Sequence, residues 1–112
     1  MAATTTVEQR WSQRRPVSVP VEVRNNGQIV AQSISRDIGL GGVFLILDAT
    51  ALDSYQDLEL FFELDVNDNV TRHKLKAKLV RSATDGGGFM FKDFDTNAFR
   101  ALQEIIRYSG AH

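Results

Sequence analysis

The chain has 112 residues, 43% of them hydrophobic and 24% charged, with a formal net charge of −1. This length fits one compact domain, and the balanced charge argues against a protein that coats nucleic acid through its overall electric field. There is no cysteine, and His73 and His112 are the only histidines. A disulfide framework is therefore excluded, and a zinc site or histidine-based catalysis is disfavoured. We expect no catalytic residue, no metal site and no enzymatic activity.

The N-terminal residues carry no targeting pattern. No apolar run approaches the roughly 20 residues of a membrane-spanning helix, and MAATTTVEQR lacks the apolar core of a signal peptide. We therefore expect a cytoplasmic protein without a membrane span. Residues 1–9 are small and polar without periodicity, which predicts a flexible N-terminal arm. Residues 10–112 are expected to form a single domain.

Three strands are predicted in the first half of the chain, and the first of them shows alternating apolar and polar residues. Residues 17–23 (VSVPVEV) form the first, and the NNG turn at 25–27 leads into the second, at 28–36. Residues 41–47 (GGVFLIL) lead into the third. Pro20 lies on the polar side of the first strand and indicates an edge position or a bulge, because proline cannot donate a ladder hydrogen bond.

The two clearest strands are residues 57–65 and 72–80. Each is apolar on one face, and the opposite face is acidic in the first strand and basic in the second. We predict one hairpin that turns at Asp68 and Asn69. That register gives three opposite-charge pairs: Asp65 with Arg72, Glu63 with Lys74, and Glu59 with Lys78. The lysines are thus assigned to charge pairing across strands, with a phosphate-binding patch as the alternative.

The C-terminal part predicts one more strand and a helix. A turn at 84–88 (TDGGG) precedes the last strand. In the strand before this turn, residues 72–80, His73 is expected to pack on the inner face. An amphipathic helix follows over 96–108, with Asp95 or Thr96 as its cap. Six short strands followed by one helix predict an all-β fold, a six-stranded antiparallel β-barrel with a C-terminal α-helix.

The stretch DIGLGG, residues 37–42, combines a carboxylate with glycines beside a strand. An ionised Asp37 accepts hydrogen bonds only, and Gly39 and Gly42 leave the backbone open because they have no Cβ. Guanine offers N1–H and N2–H₂ as a donor pair that one carboxylate accepts. The stretch therefore favours a guanine edge as ligand, and the alternative is a strand connection that serves only the geometry of the barrel.

The stretch RWSQRR, residues 10–15, places Arg10 and Arg14 four residues apart, with Arg15 adjoining. Guanidinium groups stack on bases, bind O6 and N7 of guanine, and hold phosphate. A guanine nucleotide with phosphates would satisfy both stretches. The alternative for these arginines is a solvated charged arm.

The order of these features resembles the PilZ domain, the bacterial receptor module for cyclic di-GMP, from about Arg10 to Tyr108. RWSQR resembles the family's RxxxR motif, and DIGLGG resembles its [D/N]xSxxG motif, with Gly39 in the place of the serine. KLKAKLVRS and GGGFMFKDF are similar to its last two strands. The resemblance implies the six-stranded barrel and a non-enzymatic receptor whose arginine arm orders over the barrel when cyclic di-GMP binds.

The resemblance also implies roles for individual residues. Arg10 and Arg14 would take the guanine and phosphate contacts, Asp37 would hold a guanine edge, and Gly42 would permit close backbone approach. Gly39 removes one hydrogen bond that the motif's serine makes. Arg15 would assist, and Arg36 and Arg81 lie near enough in the pattern to contact phosphate. Trp11 would either stack on a base or pack the arm on the barrel.

Three functional classes stay open at this stage. The first is the cyclic di-GMP receptor, acting with a protein effector partner as a monomer or weak dimer. The second is a degenerate adaptor of the same fold that works through protein contacts without nucleotide. The third, a barrel for single-stranded nucleic acid, is disfavoured because most phenylalanines fall at inward positions.

Overall fold

The computed structural model describes residues 14–55 and 57–109. Its strands are β1 (Arg15–Pro16), β2 (Pro20–Asn25), β3 (Gln28–Ile38), β4 (Gly42–Ile46), β5 (Leu58–Val66), β6 (Asn69–Ala83) and β7 (Gly86–Phe91). A short 3₁₀ helix, Ala49–Leu52, follows β4, and the chain ends in helix α1, Thr96–Ser109. The predicted arm, residues 1–9, lies outside the described residues.

Six of these strands form a closed antiparallel ring. The order is β3-β2-β5-β6-β7-β4, and β4 pairs back onto β3. The two-residue strand β1 adds to β3 beyond the point where β2 begins. The predicted six-stranded antiparallel arrangement with a C-terminal helix is therefore confirmed. The first long strand, however, starts at Pro20 rather than at residue 17.

Two tight turns join the regular hairpins of the ring. Asn26 and Gly27 have φ angles of 52° and 83°, and Asn67 and Asp68 have φ angles of 53° and 66°. Positive φ at both central residues is the geometry of two-residue hairpin loops whose twist matches that of the strands. Asparagine, aspartate and glycine tolerate this region better than other residues, so both turns follow from the local sequence.

The hairpin of β5 and β6 is confirmed, but the predicted register is wrong by two residues. The turn lies at Asn67 and Asp68, so Glu63 is opposite Arg72, and Glu59 is opposite Lys76. A shift of two residues keeps every side chain on its face, so the alternation in the sequence does not distinguish these registers. The charge pairing itself is present: Arg72 contacts Glu63 at 3.6 Å, and Lys74 contacts Glu59 at 3.8 Å.

The inner face of the ring carries the hydrophobic core, and α1 packs on it. Leu102 and Ile105 of α1 are buried in the same cluster as the inward residues of the strands. The Asp95 carboxylate accepts a hydrogen bond from the Ala98 amide at 2.9 Å, so Asp95 is the cap. His73 is half-buried, directly across from buried Phe62. Among the described residues, no helix has the length and apolar character needed to cross a membrane.

Candidate functional site

The segment that leads into the ring is fastened to β3 by Ser35, which is buried. Its hydroxyl donates to the Val17 carbonyl and accepts a hydrogen bond from the Val19 amide at 3.0 Å. The Val17 amide in turn donates to the Arg36 carbonyl at 3.2 Å. These bonds hold residues 15–19 along β3 and place Arg14 beside the end of that strand. In the sequence Ser35 reads as an ordinary polar position of a strand, so this role was not predicted.

Two guanidinium groups meet the Asp37 carboxylate at the end of β3. Arg14 Nη1 donates to Asp37 Oδ1 at 3.1 Å, and Arg36 Nε donates to Asp37 Oδ2 at 2.7 Å. The Asp37 side chain is 18% exposed, whereas those of Arg14 and Arg36 are 47% and 58% exposed. Each carboxylate oxygen thus has one cationic partner, and both cations stay accessible to solvent.

Arg36 is also stacked on an aromatic ring. Its guanidinium carbon lies 3.8 Å from the ring centre of Phe44 in β4. The ring occupies space that Gly86 leaves free, because a Cβ on Gly86 would lie 2.3 Å from two ring carbons of Phe44. We call Arg14, Arg36, Asp37 and Phe44 together the Asp37 cluster.

The predicted turn at 84–88 is wrong in its extent. Only Thr84 and Asp85 form the turn, and the three glycines 86–88 belong to β7. Gly88 lies directly opposite Phe44, and Gly87 lies opposite Leu45. The glycines are therefore strand residues, and two of them make room for side chains: Gly86 for Phe44 and Gly87 for Ala49 of the 3₁₀ helix.

The glycines of the stretch 37–42 bring two backbones close together. The Gly39 amide donates to the Gly42 carbonyl at 2.8 Å, and the Gly41 carbonyl accepts from the Phe91 amide at 2.9 Å. A Cβ on Gly42 would lie 2.2 Å from the Phe89 carbonyl oxygen, a distance that no side chain tolerates. Within the chain, the group that approaches Gly42 is therefore the backbone of β7.

The structure brings five of the predicted site residues to one end of the ring. Arg14, Asp37, Gly39 and Gly42 lie at the end of β3 and the start of β4. Arg15 lies at the same end, exposed in β1 and opposite Ile38. The remaining predictions for the arm, Arg10 and Trp11, lie outside the described residues. Arg81 is exposed in β6 and lies opposite Gly88.

A second cluster of the same composition lies on β2, β5 and β6. Arg24 Nε donates to Glu22 Oε1 at 2.5 Å, and its guanidinium carbon lies 4.7 Å from the ring centre of Phe61. Arg72 Nη1 lies 4.0 Å from the same carboxylate oxygen. We call Glu22, Arg24, Phe61 and Arg72 the Glu22 cluster. The positions of charged residues in the sequence did not predict this second cluster.

Comparison with known families decides the identity of the fold. The family model for the PilZ domain matches residues 8–108. The chain belongs to the PilZ domain family. PilZ domains are binding and adaptor modules, and the family is known for binding cyclic di-GMP.

One solved PilZ structure resembles the chain over most of its length. The crystal structure of the PilZ domain of CeSA from a cellulose-synthesizing bacterium superposes with a TM-score of 0.63 and 20% sequence identity. The match covers 86% of this chain and 97% of that one, and at this identity it supports the PilZ fold alone. No curated protein matches the chain.

Proposed function

We propose that this PilZ domain is a cytoplasmic cyclic di-GMP receptor that acts as an adaptor in bacterial second-messenger signalling. The observation that carries the proposal is the Asp37 carboxylate held between the guanidinium groups of Arg14 and Arg36 at the end of β3. Cyclic di-GMP contains two guanines, whose N–H edges suit a carboxylate. Its two phosphates suit guanidinium groups.

Binding is then an exchange of partners at Asp37. In the free protein both carboxylate oxygens accept from arginines. A guanine edge brings two N–H donors to the carboxylate, and Oδ1 then releases Arg14 to phosphate or to O6 and N7 of a base. Oδ2 accepts from the base and from Arg36 together, since each oxygen of an ionised carboxylate has two lone pairs. The exchange costs little, because an exposed ion pair contributes only about 0–1 kcal/mol.

The arginine segment supplies the signalling step in this proposal. Arg10 and Arg14, the two arginines of the RxxxR motif, contact the ligand together, with Arg15 in support. Their engagement orders the arm over the ring and changes the surface offered to a protein effector. Neither catalysis nor nucleic-acid binding is part of the proposed function.

The second candidate is an adaptor that binds its protein partner without nucleotide. Gly39 in the place of the motif's serine favours it, because the loop then lacks one hydroxyl contact. Among the described residues, Asp37 is also already satisfied by arginines without any ligand.

Calorimetric titration with cyclic di-GMP, with GTP as the control ligand, tests the receptor proposal. Asp37→Ala should weaken cyclic di-GMP binding by about ten- to over a hundred-fold, because it removes a charge-assisted contact of roughly 1.5–3 kcal/mol. Glu22→Ala is the matched control, since it removes a carboxylate with two arginine neighbours from the other cluster. If the parent and the Gly39→Ser variant both fail to bind at millimolar ligand, the adaptor function replaces the receptor function.

A further inference from the structure

Two contacts fix the orientation of the Arg36 guanidinium, one on its face and one at its edge. Phe44 covers one face of the group at 3.8 Å, and the Nε–H points along its edge to Asp37 at 2.7 Å. Among the described residues these are its contacts, and the side chain remains 58% exposed. The structure therefore prepares one flat, cationic, solvent-accessible face beside the Asp37 carboxylate.

The Phe44 ring is itself held from below. It lies in the space above Gly86 and is directly opposite Gly88 in β7, where no side chain competes for the place. A side chain at position 86 would displace the ring, and with it the guanidinium. Both the glycine and the ring thus contribute to the orientation of Arg36, although neither reaches solvent as Arg36 does.

We infer that Arg36 is a third arginine of the ligand site and that its open face stacks on a purine base of the ligand, opposite Phe44. This inference rests on the proposed function. A delocalised planar cation is suited to lie between an aromatic ring and a base, since it attracts the π-face on each side. The base, the guanidinium and the ring then form one column at the end of β3.

Stacking and a simple charge contact predict different results for lysine at this position. Lysine keeps the positive charge near Asp37 but has no planar group to lie between two rings. If Arg36 stacks on a base, Arg36→Lys loses nearly as much affinity as Arg36→Ala. Removing Arg36 also leaves Asp37 Oδ2 to the guanine edge alone, which should strengthen that hydrogen bond. A loss of affinity in Arg36→Ala would therefore exceed this gain.

The experiment is a set of calorimetric titrations with cyclic di-GMP. Arg36→Lys and Arg36→Ala should each weaken binding by about three- to thirty-fold. The salt dependence of Arg36→Lys should equal that of the parent, since the charge is kept. Arg24→Lys is the matched control, because Arg24 also lies on a phenylalanine and pairs with a carboxylate, and its affinity should match the parent's. Thermal unfolding without ligand checks that each variant is folded.

A double-mutant cycle tests whether Phe44 and Arg36 act as one unit. Phe44→Leu should weaken binding in the parent background and change nothing in the Arg36→Lys background, because the column is already lost there. If Phe44→Leu does not fold, the two Arg36 variants decide alone, since that side chain is exposed.

Three outcomes would overturn the inference. Parent-like binding by Arg36→Lys beside weak binding by Arg36→Ala would show a charge contact without stacking. Parent-like binding by both would remove Arg36 from the site while leaving the proposed function intact. Failure of the parent itself to bind would remove both the proposed function and this inference, and it is distinguishable because it shows in the parent alone.

Discussion

The Asp37 cluster and the Glu22 cluster are built from the same parts. Each has a carboxylate with an arginine on it, a phenylalanine under that arginine, and a second arginine nearby. They differ in exposure, because Arg36 is 58% exposed and Arg24 is 27% exposed. They also lie at different heights of β3: Glu22 is opposite Gln32, five residues before Asp37, which is about 17 Å along the strand at about 3.3 Å per residue.

The two clusters also differ in whether their residues lie on strands of the ring. Every member of the Glu22 cluster lies on a strand of the ring. In the Asp37 cluster, Arg14 precedes β1 and comes from outside the regular strands, and the glycines at 39 and 42 border the carboxylate. The Glu22 cluster therefore links strands of the ring to one another, whereas in the proposed function the Asp37 cluster exchanges Arg14, which lies outside the ring, for a ligand.

The largest effect should come from Gly42, which has no counterpart in the Glu22 cluster. Gly42→Ala places a Cβ 2.2 Å from the Phe89 carbonyl oxygen, so two paired strands must move apart. We expect a loss of about 3 kcal/mol in the free energy of unfolding, or a Tm lower by more than about 10 °C. Gly41→Ala is the control, because a Cβ there meets nothing within 4 Å. Equal melting of the two variants would contradict the close approach of β4 and β7.

The second effect concerns the arginine that each cluster takes from a neighbouring segment. Arg14→Ala should weaken cyclic di-GMP binding by about ten- to over a hundred-fold and leave the unliganded Tm nearly unchanged, since its ion pair is exposed. Arg72→Ala, in the Glu22 cluster, should leave the affinity unchanged. Calorimetry and thermal unfolding of both variants measure this. A large loss of unliganded stability in Arg14→Ala would show that Arg14 is structural.

The third effect should come from a serine at position 39, which adds next to the Asp37 cluster the hydroxyl that the motif lacks here. Gly39→Ser should tighten cyclic di-GMP binding by about two- to ten-fold, because a neutral hydrogen bond contributes roughly 0.5–1.5 kcal/mol. Among the described residues, Gly27 is the glycine with a positive φ, so serine at 39 meets no left-handed backbone. Titrations of parent and variant provide the test, and an unchanged affinity would remove position 39 from the ligand contacts.

The smallest effect should come from Asp57, which lies near the Glu22 cluster. Its backbone carbonyl accepts a hydrogen bond from the Asn25 side chain. The Lys92 ammonium donates to the Asp57 carboxylate, and this hydrogen bond lowers the pKa of that carboxyl and raises the pKa of Lys92. Because the pKa of Asp57 is lower in the folded than in the unfolded chain, the ionised carboxylate stabilises the fold above about pH 4. This stabilisation is lost as the pH falls further and the carboxylate is protonated. In thermal unfolding between pH 7 and 3, the parent should lose slightly more stability than Asp57→Asn. Parallel curves would show that the exposed pair contributes nothing.

Much of the fold follows from the sequence, because period-two alternation and turn residues act locally. The closed ring and the turn at Asn26–Gly27 were predicted on these grounds. The helix cap was narrowed to Asp95 or Thr96, and the structure shows Asp95. The register of β5 and β6 was not, since a shift of two residues preserves every face. The two-residue strand β1 was not predicted either, because its pairing depends on the buried hydroxyl of Ser35, a contact distant in sequence.

The candidate site was predicted less completely than the fold. The structure brings Asp37 and the predicted glycines together at one end of the ring, and Arg14 lies on the carboxylate there, but their role in ligand binding stays a prediction. The stack of Arg36 on Phe44 was missed, because it depends on space above Gly86, more than 40 residues further along the chain. Spacing within a motif cannot reveal a contact that three strands create together.

The closure of the ring rests on its shortest strand. β4 has five residues and is the strand through which β3 and β7 are joined. If β4 detached, two strand edges would lose their partners at once, and unpaired edges are sites at which separate chains associate. Because Phe44 lies on this strand, a ligand held through Arg36 would also slow its detachment. Amide hydrogen exchange in β4, β3 and β7 should then fall together on binding, and the liganded protein should resist self-association on heating.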